Sequence, residues 1–286
     1  MWQRAATNKI VRFKIKMHLH PRAVFESRIA DVRRVHCSAP RSEADREEYN
    51  RKPGFIFPQR GLFLYHVGSQ SYVADPNTAI IVRRDTPYRV AHPMEGGDVC
   101  FVIRPSEDIM DAAMRDACTG VEAVPLPSAQ QRNVRLLFLA LERAHDAFEQ
   151  DEIVLTLLHE ISDPKPRHGE SPRNRKVVDE VRALFAAHPE KDVTLAQIGK
   201  RVNLSAYHLA RLFQKATGSS MHQYRVQLRL AIAFDRMRAG STDISALAAE
   251  LGFSHHSHFT AAFRKLYGIT PSSLRDSRCP RRAAPK

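Results

Sequence analysis

The feature that most narrows what this chain can fold into is a repeat inside its last third. Residues 195–218 (LAQIGKRVNLSAYHLARLFQKATG) align with residues 244–268 (ISALAAELGFSHHSHFTAAFRKLYG). At an offset of 49, Leu195, Ile198, Gly199, Val202, Asn203, Leu204 and Ser205 meet Ile244, Leu247, Ala248, Leu251, Gly252, Phe253 and Ser254. One extra residue then moves the offset to 50, and Leu209, Phe213, Lys215 and Gly218 meet Phe259, Phe263, Lys265 and Gly268. Two copies of one supersecondary unit follow each other in the chain.

Each copy has the chemistry of a helix-turn-helix. Its first helix carries a small residue, Gly199 or Ala248, where a partner helix can approach closely. Asn203 and Gly252 are the residue types that best tolerate the positive φ of a sharp turn. Ser205 and Ser254 are placed to cap the helix that follows. That helix keeps Leu209, Leu212, Phe213 and Ala216, or Phe259, Ala262, Phe263 and Leu266, on one apolar face. Gly218 and Gly268 then end it, and Thr270-Pro271 opens a last short helix. Between the copies, residues 220–239 read as one unbroken helix, about 30 Å long at ~1.5 Å per residue. A rod of that length compares with the ~34 Å of one DNA turn, so one domain could read two half-sites.

The faces opposite the apolar stripes carry Tyr207, His208, Arg211 and Gln214 in the first copy. In the second they carry His256, Ser257, Thr260 and Arg264. A guanidinium among polar and aromatic neighbours is what a recognition helix offers to a major groove. Any one of these residues alone would read as a solvated helix face; the duplication makes the groove-reading interpretation the stronger. Charge agrees. Residues 174–286 carry nineteen Lys/Arg against eight acids, a net of +11, whereas residues 35–173 have a net of −5 and residues 1–34 a net of +7. A basic C-terminal third points to a polyanion as partner.

Residues 162–173 (SDPKPRHGESPR) have no apolar periodicity and read as a linker. Upstream, short apolar runs at residues 61–67, 79–82 and 99–103 alternate with turn clusters such as Asp75-Pro76-Asn77 and residues 93–98, which suggests a β-sandwich or small barrel. Residues 128–161 read as helix, with Val134, Leu137, Phe138 and Leu141 on one stripe. Val11, Phe13, Ile15, Met17 and Leu19 alternate with basic residues, which reads either as a strand or as a disordered leader. No apolar run is long enough to cross a bilayer and no secretory pattern is legible, so the expected location is the cytoplasm. Cys37, Cys100, Cys118 and Cys279 are far apart, as expected of free thiols in a reducing compartment.

Residues 174–276 resemble the DNA-binding domain of AraC/XylS-family transcriptional regulators. The resemblance rests on LSAYHLARLFQKATG and on GFSHHSHFTAAFRKLYGITPSSLR, the second being the more specific. One departure stands out: the family often has an arginine where this chain has Ala261, the counterpart of Arg211. Residues 53–104 resemble, more loosely, the cupin-like effector domain of the same family. The resemblance implies an α+β chain in two domains: a cupin-like β-barrel with dimerisation helices over residues 35–161, and an all-α domain with two helix-turn-helix motifs over residues 174–276. Residues 1–34 would be a basic N-terminal segment and residues 277–286 a basic tail. It implies a homodimeric activator whose partners are double-stranded promoter DNA, RNA polymerase and a small-molecule effector. Phe63, Tyr65, His66, Arg83, Tyr88 and His92 are the candidate effector contacts, polar or aromatic groups on expected strands.

The competing class is a cupin-type enzyme, or a redox or metal sensor, fused to a DNA-binding domain. No G-x-S-x-G, P-loop or H-E-x-x-H occurs, so no catalytic activity and no cofactor are expected. His18-Leu19-His20 lacks the glycine and carboxylate surroundings of a metallo-cupin, and His255, His256 and His258 fall where recognition residues belong, so no metal site is expected either.

Overall fold

The computed structural model describes residues 19–38, 40–41, 47–114, 123–162, 171–241 and 243–276. The alternating segment at residues 11–18 and the cysteines Cys118 and Cys279 lie outside them, as does the middle of the linker at residues 163–170.

The N-terminal half begins with β1 (Leu19–Glu26) and β2 (Ala30–Cys37), followed by β3 (Glu47–Tyr49), β4 (Gly54–Arg60), β5 (Phe63–Val67) and β6 (Gln70–Ala74). Then come β7 (Thr78–Val82), β8 (Pro87–Ala91), β9 (Asp98–Pro105), helix α1 (Glu107–Met114) and β10 (Ala123–Pro125). Strand pairing is antiparallel and gives two sheets, β1-β2-β9-β4-β7-β10 and β3-β8-β5-β6. No strand of one is hydrogen-bonded to a strand of the other, so among the described residues the strands do not close into a barrel. The first sheet starts at Leu19, inside the segment expected to be a separate basic arm.

Period-two alternation gives the six-stranded sheet two apolar faces. Ile80, Val82 and Cys100 face the second sheet with Phe63 and Tyr65. Phe55, Phe57, Ala79, Ile81, Phe101 and Ile103 face the other way, onto α2 (Ser128–Leu141) and α3 (Ala147–Ser162). The helical stripe Val134, Phe138 and Leu141, with Leu157, Leu158 and Ile161 of α3, is thus spent on the chain's own sheet. Leu136 and Leu139, on another side of α2, pack into the core of the C-terminal domain.

That domain consists of α4 (Pro172–Ala187), α5 (Leu195–Arg201), α6 (Ala206–Thr217), α7 (Met221–Ala239), α8 (Ile244–Glu250), α9 (His256–Tyr267) and α10 (Pro271–Asp276). It has two cores. Val178, Val181 and Phe185 of α4 meet Ile198, Leu209, Phe213 and Leu228 in one; Phe234 and Met237 meet Leu247, Phe259, Phe263 and Leu274 in the other. Helix α7 serves both and is buried on every side from Gln227 to Asp235.

The two halves are joined by polar groups. The Asp75-Pro76-Asn77 turn, read as a turn cluster from the sequence, is buried. Arg182 of α4 reaches into it, 3.2 Å from Asp75 and donating to the Val73 carbonyl at 2.9 Å and the Tyr224 hydroxyl at 2.9 Å. Tyr224 of α7 donates to Asp75 at 2.6 Å, and Asn77 donates to the Tyr224 carbonyl at 3.3 Å. Arg34 pairs with Asp235 at 2.5 Å, and Arg238 pairs with Glu142.

Candidate nucleic-acid interface and ligand cavity

In the first helix-turn-helix, Asn203 takes φ +54° and the Leu204 N–H donates back to the Gly199 carbonyl at 2.9 Å. A Cβ on Gly199 would lie 2.7 Å from the Leu204 carbonyl oxygen, so the small residue admits the turn's own backbone rather than a partner helix. Ser205 caps α6 by accepting from the His208 N–H at 3.2 Å. The helix ends at Gly218, φ +73°. Tyr207, His208, Arg211 and Gln214 are all exposed, Tyr207 to 72%. The Arg211 guanidinium lies over the Tyr207 ring at 5.6 Å, one turn along the helix, in cation–π contact.

The second copy repeats this with two differences. Gly252 takes φ +78° and the Phe253 N–H donates to the Ala248 carbonyl at 3.0 Å. The cap position of α9 falls on His255, not on Ser254, and His255 makes no side-chain cap bond. The residue that breaks the repeat's register is the one that displaces the cap. His256, Ser257 and Arg264 are exposed, as is Ala261. Thr260 is half-buried, and its hydroxyl is out of solvent without a hydrogen-bond partner.

Arg229, on α7, was not legible as a functional residue. Its guanidinium donates to the carbonyls of Pro189 at 2.5 Å, Gly252 at 2.8 Å and Glu190 at 3.1 Å, and lies over Phe253 at 5.7 Å. It thereby ties the approach to the first motif to the turn of the second. An arginine in a helix also rich in Arg225, Arg236 and Arg238 carries no local signal of such a role.

Between the two sheets lies a cavity of about 290 Å³. Phe63, Tyr65, Tyr88 and His92 line it; His66 and Arg83 do not, because each follows an inward residue, Tyr65 or Val82, on its strand. Burial and the neighbouring Glu48, which accepts from its hydroxyl at 3.0 Å, push the Tyr88 phenol up to about 12. Arg33, Lys52 and Arg104 add positive charge to walls that are otherwise mostly apolar.

The cavity also reaches Cys37, Asp98 and Cys100, which the strand reading did not single out. Cys37 Sγ lies 3.5 Å from His92 Nε2, Asp98 Oδ2 lies 3.0 Å from the same nitrogen, and the Cys100 thiol donates to Asp98 Oδ1 at 3.0 Å. All four residues are buried, and His92 Nδ1 has no hydrogen-bond partner. Burial opposes charge on His92, but the bonds from Asp98 and Cys37 outweigh it and raise its pKa to about 9. Burial, then Asp98, pushes the Cys100 thiol well above its usual value. The alternation Asp98, Cys100, Val102 is visible in sequence, but the register that sets Cys37 opposite Asp98 is not.

Two matched helix-turn-helix units on one buried spine define a double-motif DNA-binding domain. Residues 198–277 match the family described as "Helix-turn-helix domain". Regulatory protein PocR of Salmonella typhimurium is 30% identical over 111 residues, 39% of this chain and 36% of PocR. Regulatory protein SoxS of Escherichia coli is 26% identical over 102 residues, 36% of this chain and 95% of SoxS. A crystal structure described as a transcriptional regulator (AraC-type DNA-binding domain-containing proteins) from Chromobacterium violaceum is 27% identical, with a TM-score of 0.36 over 39% of this chain and 99% of that one. The match to PocR thus spans about a third of PocR's length. Over these residues the C-terminal domain is thus similar to the DNA-binding domains of AraC-type transcriptional regulators.

Proposed function

We propose that this chain is a sequence-specific, effector-controlled transcriptional regulator. The observation that carries the reading is the pair of motifs on α7, each presenting an exposed polar face: Tyr207, His208, Arg211 and Gln214 on one, His256, Ser257 and Arg264 on the other, with Thr260 set deeper between helices. Arg211 reads a guanine edge and Arg264 holds phosphate, while His256 and Ser257 make weaker base contacts. The relatives matched by this domain are named as regulatory proteins, and no helix among the described residues is long and apolar enough to cross a membrane. We place its action on cytoplasmic promoter DNA, as an activator that contacts RNA polymerase, and not in catalysis.

The cavity between the sheets is the effector pocket of a cupin-like domain on this reading, with Phe63, Tyr65, Tyr88 and His92 among its contacts and His66 and Arg83 outside it. Its size suits a small organic molecule, and its mostly apolar walls carry both basic residues (Arg33, Lys52, Arg104) and acidic ones (Glu48, Asp98) for orienting polar groups. Phe148 and Leu155 of α3 are exposed to 69% and 43%, and they are the apolar groups left on that helix for pairing two copies.

The test is sequencing of genomic fragments retained by the purified chain at near-physiological salt. A few enriched sites, each with two half-motifs about one turn apart, support the reading. Affinity for such a site should fall steeply with salt, by about 0.9 logarithmic units per tenfold change in salt for each phosphate contacted. Uniform retention of all fragments would remove sequence specificity from the proposal.

A further inference from the structure

The cluster at the end of the cavity gathers three metal-ligating side chains around one point. His92 Nε2 is approached at once by the Cys37 sulfur at 3.5 Å and the Asp98 carboxylate at 3.0 Å. A proton there goes chiefly to Asp98, the nearer acceptor, and the longer sulfur contact gains little from it. A cation at the point where the three donors converge satisfies all of them together. One donor atom from each of Cys37, His92 and Asp98 lies within 4.8 Å of the other two, and all three residues are buried.

We propose that Cys37, His92 and Asp98 bind a tetrahedral divalent transition-metal ion, zinc being the best match, with the fourth position open to the cavity. Zinc bonds of ~2.0–2.3 Å at tetrahedral angles place neighbouring donors about 3.3–3.6 Å apart; the Cys37–His92 separation of 3.5 Å falls in that range, the His92–Asp98 separation of 3.0 Å is a little shorter, and the third pair lies within 4.8 Å. The donor set of thiolate, imidazole and carboxylate selects zinc-like ions over magnesium and calcium, which take oxygen. Two anionic ligands and a neutral imidazole also balance the charge of the ion in a buried site. The Cys100 thiol, bonded to the other oxygen of Asp98, orients that ligand without coordinating. His92 follows β8 of the smaller sheet, whereas Cys37 and Asp98 face each other across β2 and β9 of the larger. The ion therefore clips together two sheets that share no strand pairing, and a water from the cavity completes its shell.

The test is a titration of the full-length, chelator-stripped, reduced chain with cobalt(II), read without DNA so that it stands apart from the regulatory reading. One equivalent should produce a thiolate-to-cobalt charge-transfer band and the intense visible absorption of tetrahedral cobalt, and zinc should bleach both. Cys37→Ser should abolish the charge-transfer band, while Cys100→Ser keeps it. Circular dichroism checks that each variant is folded. Should Cys37→Ser fail to fold, Asp98→Asn replaces it and should weaken cobalt binding by roughly tenfold or more. No charge-transfer band from the folded wild type, or a band that persists in Cys37→Ser, overturns the site.

Discussion

At the scale of single residues, Arg211 and Ala261 mark the difference between the two motifs. Arg211 is exposed, lies against the Tyr207 ring and enters no ion pair among the described residues, which leaves its guanidinium available for a bidentate contact with guanine. Arg211→Ala should cost about 1–3 kcal/mol on a specific site and relax preference at one base position. Competition binding on a set of single-base variants measures this; an equal loss on specific and random DNA would reduce Arg211 to a phosphate contact. Its identity was legible because the apolar stripe leaves only one face for it. Thr260 was harder. It falls on the polar side by periodicity, yet its hydroxyl is out of solvent, and which flank of a helix a neighbour covers is a tertiary fact.

Elements were readable where local chemistry sets them. Ser205, Asn203 and Gly218 act in the structure as their residue types suggest, and so do Gly252 and Gly268. The two glycines differ in what surrounds them, which gives a quantitative contrast. Gly268 has φ +76° with nothing within 4 Å of an added Cβ, so Gly268→Ala should cost only the left-handed penalty of about 1–2 kcal/mol. At Gly252 the same Cβ would lie 2.5 Å from the Glu190 carbonyl oxygen and 2.8 Å from the Arg229 guanidinium. Gly252→Ala should therefore destabilise the chain clearly more, as urea denaturation of the two variants will show. Helix α2 was only half legible: its stripe predicts a buried face, but not that Val134, Phe138 and Leu141 take the sheet while Leu136 and Leu139 take the other domain. A stripe says that something is covered, and not by what.

In the whole molecule, the least legible feature is the joint between the halves. Asp75-Pro76-Asn77 has every mark of a solvent turn, and charge patterning gave no hint that Arg182 would be buried against it. Burial works against the charge of Arg182, but Asp75, then Tyr224 and Asp179, hold the guanidinium firmly protonated. Removing the carboxylate with Asp75→Ala takes away the fully buried one of the two carboxylates that Arg182 meets, leaving it only Asp179 at 3.0 Å, and should cost about 3–5 kcal/mol. Thermal unfolding of the variant measures the loss; a midpoint equal to that of wild type would show the network to be idle.

The inequality of the repeated faces reaches beyond affinity. On the proposed reading, a site contacted by Tyr207, His208, Arg211 and Gln214 at one end and by His256, Ser257 and Arg264 at the other has a head and a tail. A bound chain then points along the DNA like an arrow. Inverting its site in a promoter would leave the same base pairs occupied while turning the sheet domain toward the opposite neighbour.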